Sequence, residues 1–262
     1  MTTPTTLPGA LGVEFFTTDL HMPQYRAGTA GTWCLRHSGF TLDRGYYSGL
    51  WAVQGMPALL RRRDPSAPWE TWMSLSAHEI ESQEFGCRYA AGATVVMGLG
   101  MGWIAANLAL RPAVTRVTVV ERDPQVIELF HHSGATDGLP AAAREKIEIV
   151  SADALEWRPA SPVDYLYADI WLNLAEPQTL DDVRRMQANV QARSLYFWGQ
   201  ELVIAALARR LAPEAKTLTP ELLQRCLDEE IRLPLLIPTG LDYAALIDHI
   251  VANRRARGLP LG

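Results

Sequence analysis

The sequence predicts an α/β fold in which a parallel sheet carries helices on both faces, and three observations predict it. An apolar, β-branched run at 93–97 breaks into glycines at alternate positions, Gly98, Gly100 and Gly102, and then into a helix-forming stretch. Further apolar runs, at 117–120, 147–150, 163–168 and 194–198, alternate with helical patterns; short strands spaced by helices are the pattern of parallel βα units. Three of these runs close on a carboxylate, at Glu121, Asp153 and Asp169. The strand ends of one parallel sheet share an edge, so these acids are expected to converge on a crevice there.

Each element has its own signal. Residues 10–70 are rich in glycine and aromatic residues with short apolar pieces, which suits short strands packed on a larger body. Arg61 to Pro68, with three adjacent arginines and two prolines, reads as a hairpin tip whose charges face water. From Ser74 to Tyr89 the pattern supports a helix. Ser76 suits its N-cap, and Glu79, three residues on, either completes a capping box or serves a ligand. Pro124 to His132, Thr179 to Gln191 and Gln200 to Leu211 read as helices, the second with Leu180, Val183 and Met186 on one face. Thr219 and Pro220 open a helix, a proline-bounded run covers 233–238, and a closing helix runs from about Leu241 to Arg257, its basic end lying where the helix dipole favours cations. The expected division is a tail and small β-rich segment at 1–73, a nucleoside-binding α/β domain at 74–211, and a helical extension at 212–262.

The glycine turn restricts the ligand. A dinucleotide site uses Gly-x-Gly-x-x-Gly or Ala, its last small residue letting the helix pack on the strand while the pyrophosphate sits at the helix N-terminus. Here the spacing is Gly98-x-Gly100-x-Gly102, and the position wanted small is Trp103, which argues against pyrophosphate. Gly-x-Gly-x-Gly, then Val119-Val-Glu121-Arg-Asp-Pro124, then Ala152-Asp-Ala154, then an apolar run ending in Asp169 resembles the Rossmann-like fold of class I S-adenosylmethionine-dependent methyltransferases, in its spermidine-synthase-like branch. The resemblance covers 93–170 well. It extends more loosely over 50–92, where Trp51 to Leu60 and Trp72 to Glu79 look like that branch's hairpin and glutamate-bearing helix.

The resemblance implies that S-adenosylmethionine is the cofactor. It implies that the backbone of Gly98, Leu99, Gly100 and Gly102 cradles it, that Glu121, with Arg122 beside it, takes the ribose, and that Asp153 with Ala154 takes the adenine amino group. Asp169 would lie beside the sulfonium and orient or deprotonate the acceptor, with Trp171 and one of Tyr46 or Tyr47 as pocket walls. Three departures stand out. Val96 occupies the place of an acid that many class I enzymes carry two residues before the first glycine. No second aspartate follows Asp169 to hold a polyamine. The usual terminal hairpin of the sheet is replaced by helices. The expected activity is therefore methyl transfer to a small-molecule acceptor. The alternatives are aminopropyl transfer or another sulfonium reaction (cyclisation or elimination) on the same fold, and a non-catalytic adenosyl-binding protein.

Composition agrees. Apolar residues make up 48% and charged residues 20% of 262, enough for a sizeable core. With 24 basic against 29 acidic side chains, net −5, no electrostatic footprint for nucleic acid is present. Cys34, Cys87 and Cys226 are scattered and odd in number, which fits a reducing compartment and no zinc site. The histidines show no ligand spacing, so no metal is expected. No apolar run is long enough to span a membrane. The first nine residues read as a frayed tail rather than a secretory signal, and a cytoplasmic location is expected. The C-terminal helices are expected to cover the acceptor side or to form a homodimer contact.

Overall fold

In the computed structural model, which describes residues 12–260, the chain first builds a small antiparallel unit. Its strands are β1 (Gly28–Ala30), β2 (Trp33–His37), β3 (Thr41–Arg44), β4 (Leu50–Val53), β5 (Pro57–Arg61) and β6 (Glu70–Ser74). β1, β2, β5 and β6 form one sheet in that order, and β3 pairs with β4 alone. The proline-rich stretch after Arg61 is the β5–β6 hairpin loop, as its composition requires. The expected frayed start lies outside the described residues.

Helix α1 (Ala77–Arg88) leads from this unit into the main sheet. The Ser76 hydroxyl caps it by accepting the Glu79 backbone N–H at 3.2 Å. The reciprocal half of a capping box is not made, because the Glu79 carboxylate accepts instead from Gln83 Nε2 at 3.0 Å.

The main unit alternates β7 (Gly92–Met97), α2 (Trp103–Leu110), β8 (Val114–Glu121), α3 (Pro124–Ser133), the short α4 (Ala141–Arg144), β9 (Ile147–Ser151), β10 (Tyr165–Ala168), α5 (Thr179–Val190), β11 (Ser194–Phe197) and α6 (Gln200–Leu211). The five strands are all parallel, in the order β11-β10-β7-β8-β9. Side chains alternate between the two faces. Val96, Val119, Tyr167 and Tyr196 pack into the core shared with α1, α2 and α3, while Val95, Met97, Leu166 and Phe197 pack against Val183 and Met186 of α5. Both faces are covered, so the strands read as continuous apolar runs rather than alternating ones. Burying each such side chain contributes about 1.5–3 kcal/mol.

The chain runs from β7 outward through β8 to β9, then crosses back to β10 and on to β11. The strand order therefore reverses between β7 and β10, the place where an open parallel sheet leaves a crevice at its carboxyl edge.

The C-terminal part is helical: α7 (Pro220–Arg225), continued by a π-helical stretch (Cys226–Ile231), and α8 (Tyr243–Ala256). The π-helical continuation and α4 leave no periodicity signal in the sequence. The proline-bounded run meets the sheet edge through one parallel bridge, Leu235 to Leu195. Leu195 N–H donates to the Pro234 carbonyl at 2.9 Å and Leu236 N–H to the Leu195 carbonyl at 2.6 Å. Pro234 and Pro238 bound this contact and lack the N–H a longer ladder needs. No described helix is long and apolar enough to cross a membrane.

Candidate active site

A cavity opens at the point of strand-order reversal, with about 1140 Å³ of atom-free space counted to its mouth. Gly98 ends β7 at φ +96°, and a Cβ there would lie 2.1 Å from the Asp169 carbonyl oxygen at the end of β10. Gly100 has φ +51°, and its Cβ would lie 2.5 Å from Met73 Sδ of β6. Both glycines and Leu99 line the cavity, so the turn presents bare backbone to it. Gly102 does not line it. Its absent Cβ makes room for Phe130 of α3, whose Cε2 would lie 2.3 Å away, so this third glycine serves packing.

The carboxylates expected at the strand ends do meet here: Glu121, Asp153 and Asp169 all line the cavity, with Arg122 and Ala154. Glu121 is pinned by the turn itself, Oε2 accepting the Leu99 N–H at 3.0 Å and Oε1 the Asp123 N–H at 2.8 Å. Each oxygen keeps a second lone pair. Asp153 Oδ1 accepts the Leu155 N–H at 2.8 Å, which fixes its side chain in the turn after β9. Trp103 is 1% exposed, and its indole N–H is spent on the His21 carbonyl at 2.9 Å. It forms part of the cavity wall.

At the β10 end, Asp169 and Glu79 of α1 line the same cavity and keep only a small part of their surface toward it. Burial pushes Asp169 up to about 7. Burial and then the charge of Asp169 hold Glu79 well above the usual carboxylate range. Gln83 and Tyr167 complete this end, and Gln83 Oε1 and the Tyr167 hydroxyl are buried without a partner among the described residues.

Trp171 lines the cavity with its N–H spent on Asp182 at 2.9 Å, and Trp198 does so with its N–H on Ser82 Oγ at 2.8 Å. With their one donor consumed, these indoles offer the cavity apolar ring surface.

Two expected wall residues lie elsewhere. Tyr46 and Tyr47 line no part of the cavity. Tyr46 is 1% exposed and donates to Glu201 at 3.2 Å, and Tyr47 donates to Glu84. Both belong to the packing of the β3–β4 connection on α1 and the C-terminal helices, which makes them structural.

Residues of the antiparallel unit, none of them anticipated as lining, also border the cavity: Trp33, Leu59, Arg61, Trp72 and Met73. Trp33 Nε1 donates to Asp123 Oδ2 at 2.7 Å, which ties β2 to the turn after β8. The Arg61 guanidinium stands 5.2 Å from the Trp33 ring centroid and 5.6 Å from that of Trp72, within cation–π range. Arg61 therefore differs from Arg62 and Arg63, which do not line this cavity. Among the described residues no group of His, Cys, Asp or Glu is arranged to hold a metal ion.

Around the cavity five carboxyl groups (Glu79, Glu121, Asp123, Asp153 and Asp169) face two guanidiniums, Arg61 and Arg122, and with one proton held between the raised Glu79 and Asp169 the carboxylates still outnumber the guanidiniums. The surplus favours a cationic ligand and repels a pyrophosphate.

No protein-family model and no curated protein matches the chain. Among solved structures it is similar to the glycopeptide N-methyltransferase MtfA complexed with S-adenosyl-L-homocysteine, at 21% identity over 42% of this chain and 41% of that chain, with a TM-score of 0.33. It is similar to DhpI in its SAM-HEP complex at 17% identity, 42% and 47% coverage and TM-score 0.31. For CalS10, an amino pentose methyltransferase from Micromonospora echinaspora, the values are 17%, 42%, 43% and 0.29. The chain thus spans less than half the length of these three structures. Scores this low carry no weight for activity, which rests on the site's own residues.

Proposed function

We propose that this chain is an S-adenosylmethionine-dependent methyltransferase acting on a small molecule. One observation carries the reading: a glycine turn with exposed backbone and an excess of carboxylates line one cavity at the strand-order reversal of a parallel sheet. Phosphate-free adenosyl ligands with a sulfonium and an ammonium suit that charge, whereas NAD does not. The turn also fits, since Gly98, Leu99 and Gly100 line the cavity, and the positive φ of the two glycines, with the close approach of the Asp169 carbonyl to Gly98 and of Met73 to Gly100, leaves no room for a Cβ.

In this reading Glu121, already held by two backbone N–H groups, accepts from the ribose hydroxyls, and Asp153 with Ala154 borders the adenine. S-adenosylmethionine supplies an activated methyl carbon. The protein then aligns the acceptor, excludes water and takes up a proton where the acceptor has one to lose. Asp169, raised to about 7, is placed to do the last at neutral pH. Trp171, Trp198 and Trp72 form apolar walls that hold the acceptor against it. The acceptor end is lined by Asp169, Glu79 and Gln83, whose carboxyl and amide oxygens suit a substrate bearing N–H or O–H donors.

A thermal-shift panel tests the cofactor, because a ligand that binds only the folded state raises apparent stability. S-adenosylmethionine and S-adenosylhomocysteine should stabilise the protein and NADH should not. A response to NADH alone, or to none of the three, overturns the reading. Product analysis then separates methylation, which yields S-adenosylhomocysteine, from aminopropyl transfer, which yields methylthioadenosine from the decarboxylated cofactor.

A further inference from the structure

A second cavity lies in the C-terminal helical part, bordered by α6, α8 and the segment leading into α7, with about 780 Å³ of atom-free space counted to its mouth. It shares no lining residue with the first. Arg209 of α6, Lys216 of the connecting segment and Arg255 of α8 line it, against the single carboxylate of Asp248. That carboxylate is already engaged, Oδ2 accepting the Leu218 backbone N–H at 2.7 Å.

No ion pair among the described residues involves Arg209, Lys216 or Arg255. Arg209 Nη2 is buried and has no hydrogen-bond acceptor. Burial, and then the like charge of Arg255, hold the Arg209 guanidinium below its ordinary range. A local excess of positive charge is a costly arrangement, and an anion with several acceptor oxygens relieves it.

The lining fixes the class of that anion. Three cations against one carboxylate leave two positive charges uncompensated, the match for a dianion. Guanidinium forks and a lysine point charge are the usual partners of phosphate oxygens, and the Thr217 hydroxyl stands at the same rim. Ala205 and Ala208 of α6, Ala212 just after it and Val251 of α8 add apolar lining, against which an organic substituent can lie. We propose that this cavity binds a phosphate dianion, either free or as the head of a phosphomonoester. This site stands apart from the adenosyl reading of the first cavity and does not depend on it.

Titration calorimetry and thermal shift on the full chain test it, with inorganic phosphate and phenyl phosphate as probes and sodium chloride at matched ionic strength as the control. Both probes should raise Tm saturably and give a one-to-one isotherm. Phenyl phosphate binding at least tenfold tighter identifies the ester as the ligand, and equal affinities identify free phosphate. Arg209→Gln with Lys216→Gln should weaken binding at least tenfold and leave any adenosyl-ligand response unchanged. Should the double variant fold poorly, Lys216→Gln alone, an exposed side chain, carries the same comparison with a several-fold loss expected. The proposal is overturned if phosphate gives no more than chloride does, or if binding survives these substitutions undiminished.

Discussion

Asp169, just after β10, and Glu79, in the first turn of α1, line one cavity, and the charge of Asp169 is second only to burial in raising the proton affinity of Glu79. Two carboxylates so placed cannot both be ionised without cost unless a cation joins them. At neutral pH the pair is poised to share a proton, with Asp169, raised to about 7, the one that gains charge as pH rises.

That placement predicts the pH dependence of turnover. If Asp169 accepts the acceptor's proton, its ionised form is the active one, and kcat/KM should climb from about pH 6, reach half its plateau near 7 and level off above about 8. Asp169→Asn should remove this limb and lower kcat by about 10²–10⁴-fold, the usual contribution of a positioned base. Affinity for S-adenosylhomocysteine, read by calorimetry, should stay near normal. Unchanged turnover in the variant would remove Asp169 from the mechanism.

The same residue makes a prediction about stability. A carboxyl whose folded value lies near 7 and whose ordinary value is 3.8 holds a proton in the folded protein that the unfolded chain releases. Between those limits the folded state binds more protons, so stability falls as pH rises through this window. Asp169→Asn, which cannot ionise, should therefore raise Tm at pH 8 and change it little at pH 4. Chemical unfolding at both pH values checks this, and an equal shift at the two would contradict it.

How far the site was legible in the sequence follows from where each residue's partners lie. Glu121, Asp153 and Asp169 could be brought together on paper because parallel strands share an edge, and one cavity does hold all three. Trp33 and Arg61 could not. They reach the cavity because the antiparallel unit docks on α3, through the Trp33–Asp123 bond and the Thr32 N–H donating to Gln125 at 2.8 Å. Those contacts span 90 and 93 residues, and no local pattern encodes them. Tyr46 and Tyr47 fail for the converse reason. Their aromatic pair suits a pocket wall as well as a core, and only the tertiary arrangement, which buries Glu201 and Glu84 beside them, decides between the two. Ser76 was readable as a cap because capping is local, while the fate of the Glu79 carboxylate depended on a cavity assembled later.

The three glycines of the turn should behave differently on substitution. Gly98→Ala pushes a Cβ into the Asp169 carbonyl, and backbone cannot swing aside as a side chain does. It also forces a non-glycine residue to φ +96°, so a loss of more than about 2 kcal/mol is expected. Adenosyl-ligand binding should fall with it, because Asp169 and the turn move together. At Gly102 the obstacles are a φ of +79° and the Phe130 ring, which unlike backbone can be shortened. Gly102→Ala should lower Tm, and adding Phe130→Leu should recover part of that loss. In the folded fraction ligand affinity should stay close to that of the parent, as Gly102 does not line the cavity. Urea titration with and without S-adenosylhomocysteine separates the two behaviours.

Glu201 gives the last prediction. It is 0% exposed and lies within reach of three tyrosine hydroxyls: Tyr243 at 2.6 Å, Tyr196 at 2.9 Å and Tyr46 at 3.2 Å. Burial raises its proton affinity, and the hydrogen bonds from the tyrosines, Tyr243 foremost, pull it back down. Tyr243→Phe removes the shortest of these donors from a carboxylate that water cannot reach, so the folded-state value should rise further above 4.5. The cost should then be greater at high pH, where the carboxylate is charged, at about 1.5–3 kcal/mol, and shrink at low pH, where it is protonated, toward the neutral-bond range of about 0.5–1.5 kcal/mol. Tyr165→Phe is the control, since its hydroxyl donates at 2.9 Å to the uncharged Gly86 carbonyl. Its cost should not vary with pH, because no ionisable acceptor loses a partner. Urea unfolding of both variants at pH 4 and pH 8 distinguishes them, and a pH-independent penalty for Tyr243→Phe would mean that Glu201 stays protonated across the whole range.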